Sequence, residues 1–199
     1  MKLSRIITVV AALLTSVACN GSEKQENEME KGKALIVFFS HAGDNYAVGN
    51  IKEGNTKIVA DYIKEQTGAD VFEIVAEKSY DMPYSELIKV AQAEKKSGEL
   101  PAFKGSISNI GEYDVIFIGG PIWWGTYPQV MFSFFKKHDL NGKTLIPFTT
   151  HEGSGLASTV EDVKKQYPRA KVTGAFAIYG HEVRTEKAKV VKWLKGLGY

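Results

Sequence analysis

From residue 34 onward, short apolar runs alternate with longer stretches whose apolar side chains recur every three or four positions. The runs at 34–39, 70–75, 115–119, 144–149 and 172–178 are of strand length, and most are runs of Val, Ile, Phe or Leu, as expected of strands buried on both faces. Between and after them, helical periodicity predicts helices at 56–67, 84–96, 128–138, 156–166 and 184–197. The first shows the pattern plainly, with Ile58, Val59, Tyr62 and Ile63 on one side and Lys57, Asp61, Lys64 and Glu65 elsewhere, before Gly68 ends it. Strand and helix in strict alternation predict a doubly wound parallel sheet, covered by helices on both faces. Periodicity alone does not give the strand order.

The first 33 residues follow another pattern. Lys2 and Arg5 precede a 13-residue, mostly apolar run from Ile6 to Ala18, too short to span a bilayer and of the length of a signal-peptide core. Ser16-Val17-Ala18-Cys19 resembles the lipobox of bacterial lipoproteins, in which the cysteine becomes the lipidated first residue; Ser16 stands where that pattern usually has Leu. The segment that follows, NGSEKQENEMEKGK, has four Glu, three Lys and one Met, too little apolar surface to fold on its own. These features predict a signal peptide at 1–18, a lipidated tether at 19–33 and one globular domain at 34–199, held at the cell envelope by its lipid alone. An ordinary cleaved signal releasing a soluble domain is the alternative.

Composition narrows the chemistry. The 199 residues are 44% hydrophobic and 24% charged, with 25 Lys and Arg against 23 Asp and Glu, so without Lys2 and Arg5 the charges balance. A nucleic-acid footprint is not expected. One cysteine forms no internal disulfide, and the four histidines, at 41, 138, 151 and 181, have no metal-ligand spacing.

In a doubly wound sheet, ligands bind beyond the carboxyl ends of the strands, where the loops lie. The loop after the first strand begins at Ser40-His41 and ends in Gly54-Asn55-Thr56-Lys57 at the mouth of a helix, where N–H groups are available to an anion. Neither a Gly-Lys-Ser/Thr phosphate loop nor a G-x-G-x-x-G turn is present there. The loop after the third strand, Pro121-Ile122-Trp123-Trp124-Gly125, presents two indoles that suit a planar ligand. The loop after the fourth, Thr150-His151-Glu152-Gly153-Ser154-Gly155, is small and rich in donors. Residues 80–84 and 97–111 read as surface connections without chemistry.

These three loops together resemble the flavodoxin-like family that binds FMN, over nearly all of 34–199. The resemblance implies a three-layer α/β/α sandwich with a five-stranded parallel sheet in the order 2-1-3-4-5. It implies a phosphate held by Ser40, Asn55 and Thr56 with the backbone of His41, Gly54 and Lys57. It also implies a ring stacked on Trp123 or Trp124 beside Pro121, Ile122 and Gly125, with Thr150, His151, Gly153, Ser154 and Gly155 at its far edge. The family's phosphate loops are compact, whereas Ser40 and Thr56 are far apart here. Either 40–45 is itself the compact loop, or residues 44–53 are an insertion completed by Gly54-Asn55-Thr56; the helix beginning at Thr56 favours the insertion.

The activity expected from this resemblance is electron transfer by FMN, from NAD(P)H to a quinone or similar acceptor, with His151 protonating or polarising the acceptor. A one-electron carrier docking on redox proteins is the alternative, weakened by near-zero net charge where such carriers are acidic. A flavin-free lipoprotein that binds a ligand or another envelope protein is the third reading.

Overall fold

A computed structural model describes residues 32–199. The expected leader, Cys19 and nearly all of the tether lie outside the described residues. The described chain runs β1 (Ala34–Phe38), β2 (Gly43–Asn45), β3 (Gly49–Ile51), α1 (Asn55–Thr67), β4 (Asp70–Glu73), β5 (Val75–Ala76) and α2 (Tyr84–Ser97). It continues with β6 (Phe103–Lys104), β7 (Val115–Pro121), α3 (Gln129–Lys137), β8 (Thr144–His151), α4 (Thr159–Gln166), β9 (Lys171–Val172), β10 (Phe176–Tyr179) and α5 (Lys187–Gly196).

The central sheet has the order β4-β1-β7-β8-β10, all pairs parallel, with β9 also pairing β8. Counting only these core strands along the chain, this is 2-1-3-4-5. Alternation along β1 separates two cores: Leu35 and Val37 pack with Leu87, Val130, Phe134 and Val163 of α2, α3 and α4. Ile36 and Phe38 face the other way, against Ile58, Val59, Ile63, Val190 and Leu194 of α1 and α5. A strand buried on both faces needs apolar side chains at every position, which is why its sequence shows a run and no alternation.

Two contacts narrow the sheet where the site lies. A Cβ on Gly119 would meet the Phe148 ring at 1.9 Å, so only glycine lets β7 pass that ring. Beside it, buried Tyr127 donates its hydroxyl hydrogen to the carbonyls of Ile118 (2.9 Å) and Phe148 (3.2 Å), joining β7 and β8 just before their loops.

Several boundaries depart from the periodicity. The expected strand at 172–178 is two pieces, β9 and β10, because the chain turns at Gly174 (φ +62°), whose carbonyl accepts the Trp193 indole hydrogen at 2.7 Å. The strand expected at 70–75 ends at Glu73; Val75–Ala76 instead pairs antiparallel with Phe103–Lys104, inside the connection read as featureless. Helix α4 begins at Thr159 and not at 156, and α5 at Lys187 and not at 184. The insertion at 44–53 contains most of an antiparallel hairpin, β2 with β3, which no alternating pattern announces.

Candidate active site

The first loop is organised by small groups in close contact. Helix α1 opens at Gly54, whose φ of −66° any residue adopts, yet a Cβ there would lie 2.2 Å from Ser40 Oγ and 2.6 Å from the His41 carbonyl oxygen. Ser40 Oγ accepts the Lys57 N–H at 3.0 Å, capping the helix from 17 positions away. The N–H groups of Asn55 and Thr56 begin the helix with no acceptor within it, as first-turn groups do. Asn55 Oδ1 accepts a hydrogen from Arg184 Nη1 (2.8 Å), while Arg184 Nη2 donates to the Glu53 carbonyl (2.8 Å). The result is a tight backbone cradle with two outward N–H groups, suited to an anion.

Across a cleft lie the other two loops. Thr150, His151, Glu152 and Ser154 form one wall, and Pro121, Ile122 and Trp123 another. The space between them is a cleft open to solvent with a cavity volume of ≈ 170 Å³, below the about 300–1,000 Å³ usual for enclosed small-molecule sites. His151 accepts the Gly153 N–H on Nδ1 (2.9 Å), and burial holds its pKa below the ordinary histidine value. The imidazole is therefore neutral near pH 7 with its proton on Nε2, able to donate. Glu152 is fixed by His181, which offers its backbone N–H to Oε1 at 2.9 Å and places Nδ1 2.7 Å from Oε2.

The two adjacent indoles part company. Trp123 is half-buried, edge-on to Phe39, His41 and Tyr80, and lines the cleft. Trp124, 47% exposed, lies outside it, with φ +53° and its indole hydrogen bonded to the Ile88 carbonyl of α2 at 2.9 Å. Trp124 instead borders a groove with Tyr84, Ile88 and Ala91 that adjoins the cleft at Trp123 and Ile122.

The remaining expected residues sort in the same way. The Lys57 ammonium is turned to Glu53 (3.1 Å) and Asp61 (2.6 Å), so only its backbone serves the cradle. Gly125, Gly153 and Gly155 do not line the cleft; the Gly125 carbonyl accepts Ser158 Oγ–H (2.8 Å) and the Gly155 carbonyl accepts Thr149 Oγ–H (3.0 Å), holding the loops in shape. His41 is only 7% exposed, its pKa lowered mainly by burial, with Nε2 free of any partner.

The sequence put the 44–53 insertion beside the site, as a loop shaping access, a partner contact or a surface excursion without function, but singled out no residue of the wall that it forms with α2. Asn45, Tyr46 and Val48 of the hairpin, and Tyr84 and Leu87 of α2, line the same cleft. Tyr80, read as surface, is buried and donates its hydroxyl hydrogen to the buried Glu94 carboxylate. The only local signal was an aromatic residue in a glycine-containing insertion.

A family model described as flavodoxin matches residues 33–196. The chain belongs to the flavodoxin family. No curated protein matches this flavodoxin-family chain. Among solved structures, it is 29% identical to a protein of Bacteroides eggerthii DSM 20697 described as a candidate flavoprotein, with a TM-score of 0.65 over 84% of this chain and 98% of that one. A similarly described Bacteroides uniformis ATCC 8492 protein is 26% identical, with a TM-score of 0.68 over 83% and 99% of the two chains. A flavoprotein of Lactobacillus acidophilus NCFM, solved in complex with FMN, shares the fold at 18% identity, with a TM-score of 0.58 over 82% and 99%. Membership of this family supports FMN as the cofactor and a redox function in general.

Proposed function

We propose that the chain binds FMN in this cleft and is an oxidoreductase that passes electrons from NAD(P)H to a small acceptor such as a quinone. The observation that carries the reading is the convergence of three unlike surfaces on one cleft: the backbone cradle at Gly54-Asn55-Thr56, the indole of Trp123, and the donor-rich wall from Thr150 to Ser154. The residues fit the cofactor, because a Cβ would fill the cradle and because anion, ring and ring edge each meet a matching chemistry.

When bound, FMN supplies the redox chemistry. In this reading Asn55 and Thr56 hold the phosphate through backbone N–H groups, and Ser40 keeps that turn in place by capping Lys57. Trp123 offers a ring face or edge already fixed by three aromatic neighbours. His151, neutral with its proton on Nε2, polarises the acceptor by donating a hydrogen bond to it. The apolar groove of Tyr84, Ile88, Ala91 and Trp124, next to the cleft, supports an uncharged ring as acceptor over a docked protein.

The lipid anchor on Cys19 belongs to the same proposal and places the enzyme at the cell envelope. The test is a fluorescence titration of FMN with the protein, since stacking on an indole quenches flavin emission. Stoichiometric quenching followed by NAD(P)H-dependent quinone reduction is the expected result. Quenching without quinone turnover transfers the assignment to the one-electron carrier, and absence of quenching transfers it to a flavin-free binding protein.

A further inference from the structure

The hairpin at 43–51 is the least expected part of the fold, and its attachments are few. Its strands pair only with each other among the described residues, and an isolated two-stranded hairpin is marginally stable in water. Its position therefore depends on what it touches. Asp44 Oδ2 accepts the Tyr84 N–H at 2.9 Å. Tyr84 is the first residue of α2, and Pro83, at the capping position, supplies no side-chain acceptor. The hairpin thus caps the helix from 40 positions away, with a carboxylate at the positive end of the helix dipole.

This bond joins two cleft walls. Two residues along from Asp44, the ring of Tyr46 packs on that of Tyr84, centroids 5.9 Å apart, and both rings line the cleft. Tyr46 is nevertheless 61% exposed, so it stands at the rim. Gly43 (φ +92°), at the base of the hairpin opposite Ile51, and Gly49 (φ +70°), beside its tip, have backbone that glycine adopts most freely.

We propose that this hairpin is a strap over the cofactor cleft, latched shut by Asp44 on the amino end of α2, and that the latch sets how fast the bound cofactor leaves. Asp44 is a positioning residue, acting through Tyr84, and Tyr46 is the part of the strap that obstructs the exit. The inference rests on the cofactor reading given above.

The experiment is stopped-flow measurement of FMN association and dissociation, read by flavin fluorescence, for the wild type, Asp44→Ala, Asp44→Asn and Tyr46→Ala. A hydrogen bond to a carboxylate is lost in Asp44→Ala, so dissociation rises roughly tenfold. Association rises too, since a latched strap obstructs both directions. Asp44→Asn keeps an oxygen that accepts the Tyr84 N–H and stays near wild type. Tyr46→Ala, at an exposed ring that folding does not need, speeds dissociation with α2 still capped.

Wild-type dissociation rates in both Asp44→Ala and Tyr46→Ala overturn the strap while leaving the cofactor reading intact. Failure of the wild type to bind FMN overturns both. A rise in dissociation alone, with association unchanged in both variants, also overturns the strap, because it describes a lost contact and not an opened exit.

Discussion

The hydroxyl oxygens of Thr56 and Thr150, 94 positions apart, lie 2.8 Å from each other in the buried floor of the cleft. The contact fixes the first turn of α1 against the end of β8, and so fixes the distance between the anion cradle and the donor-rich wall. Replacing either residue by Val keeps its volume but strands the other hydroxyl, which costs about 1–3 kcal/mol. The double variant is expected to lose less than the sum of the singles, because no hydroxyl is then left unpaired. Urea unfolding of the four proteins checks this, and additive losses would contradict it.

Gly54 is required for space. Its Cβ would press on Ser40 Oγ and on the backbone of His41, and backbone cannot swing aside as a flexible side chain can. Gly54→Ala is expected to weaken FMN binding by about tenfold or more, equivalent to at least ~1.4 kcal/mol, and to lower the melting temperature. Unchanged affinity in a titration would show that the cradle holds no phosphate.

The two indoles make opposite predictions. Trp123→Ala should abolish most of the flavin quenching on binding and reduce affinity. Trp124→Ala should leave both near wild type, because that ring lies outside the cleft with its hydrogen on the Ile88 carbonyl. Equal effects in the two variants would remove the distinction between them.

Stability should fall as pH drops below the ordinary histidine range. Burial lowers the pKa of His41, so the unfolded chain takes up its proton at a higher pH than the folded one. Stability then decreases as pH falls from about 6.5 through the lowered value. Asp44 and Asp81 pull the other way without prevailing, and Glu73, on the edge strand, and the buried Glu94, both with pKa values raised mainly by desolvation, contribute in the opposite sense above the ordinary carboxylate value. The part due to His41 is isolated by comparison with His41→Gln: its unfolding free energy should vary less between pH 7 and 5, and an identical slope would assign the loss elsewhere.

What the sequence by itself determined was the burial of the central strands β1, β7 and β8 and of the helix faces packed on them, whereas the edge strand β4, expected to be covered on both faces, exposes Asp70, Val71 and Glu73. A strand covered on both faces must be apolar at every position, and a helix packed on one side must be apolar every third or fourth, so the elements of the sheet and its two helical layers were readable before any contact was known. The family resemblance, carried by three loop motifs, added the strand order that periodicity lacks.

Only the tertiary structure decided how the site is built. Trp123 and Trp124 are adjacent and identical in kind, and which one faces the cleft depends on the left-handed turn at Trp124 and on its bond to a helix 36 positions back. The Lys57 ammonium stands next to the cradle in sequence, yet Glu53 and Asp61 take its charge and leave only its backbone there. The hairpin reaches the cleft through Asp44 and Tyr84, 40 residues apart, and Asn55 is held by Arg184 across 129. Such contacts are selected by the meeting of distant surfaces, and a pairing that depends on where two segments arrive leaves no periodic mark on either of them.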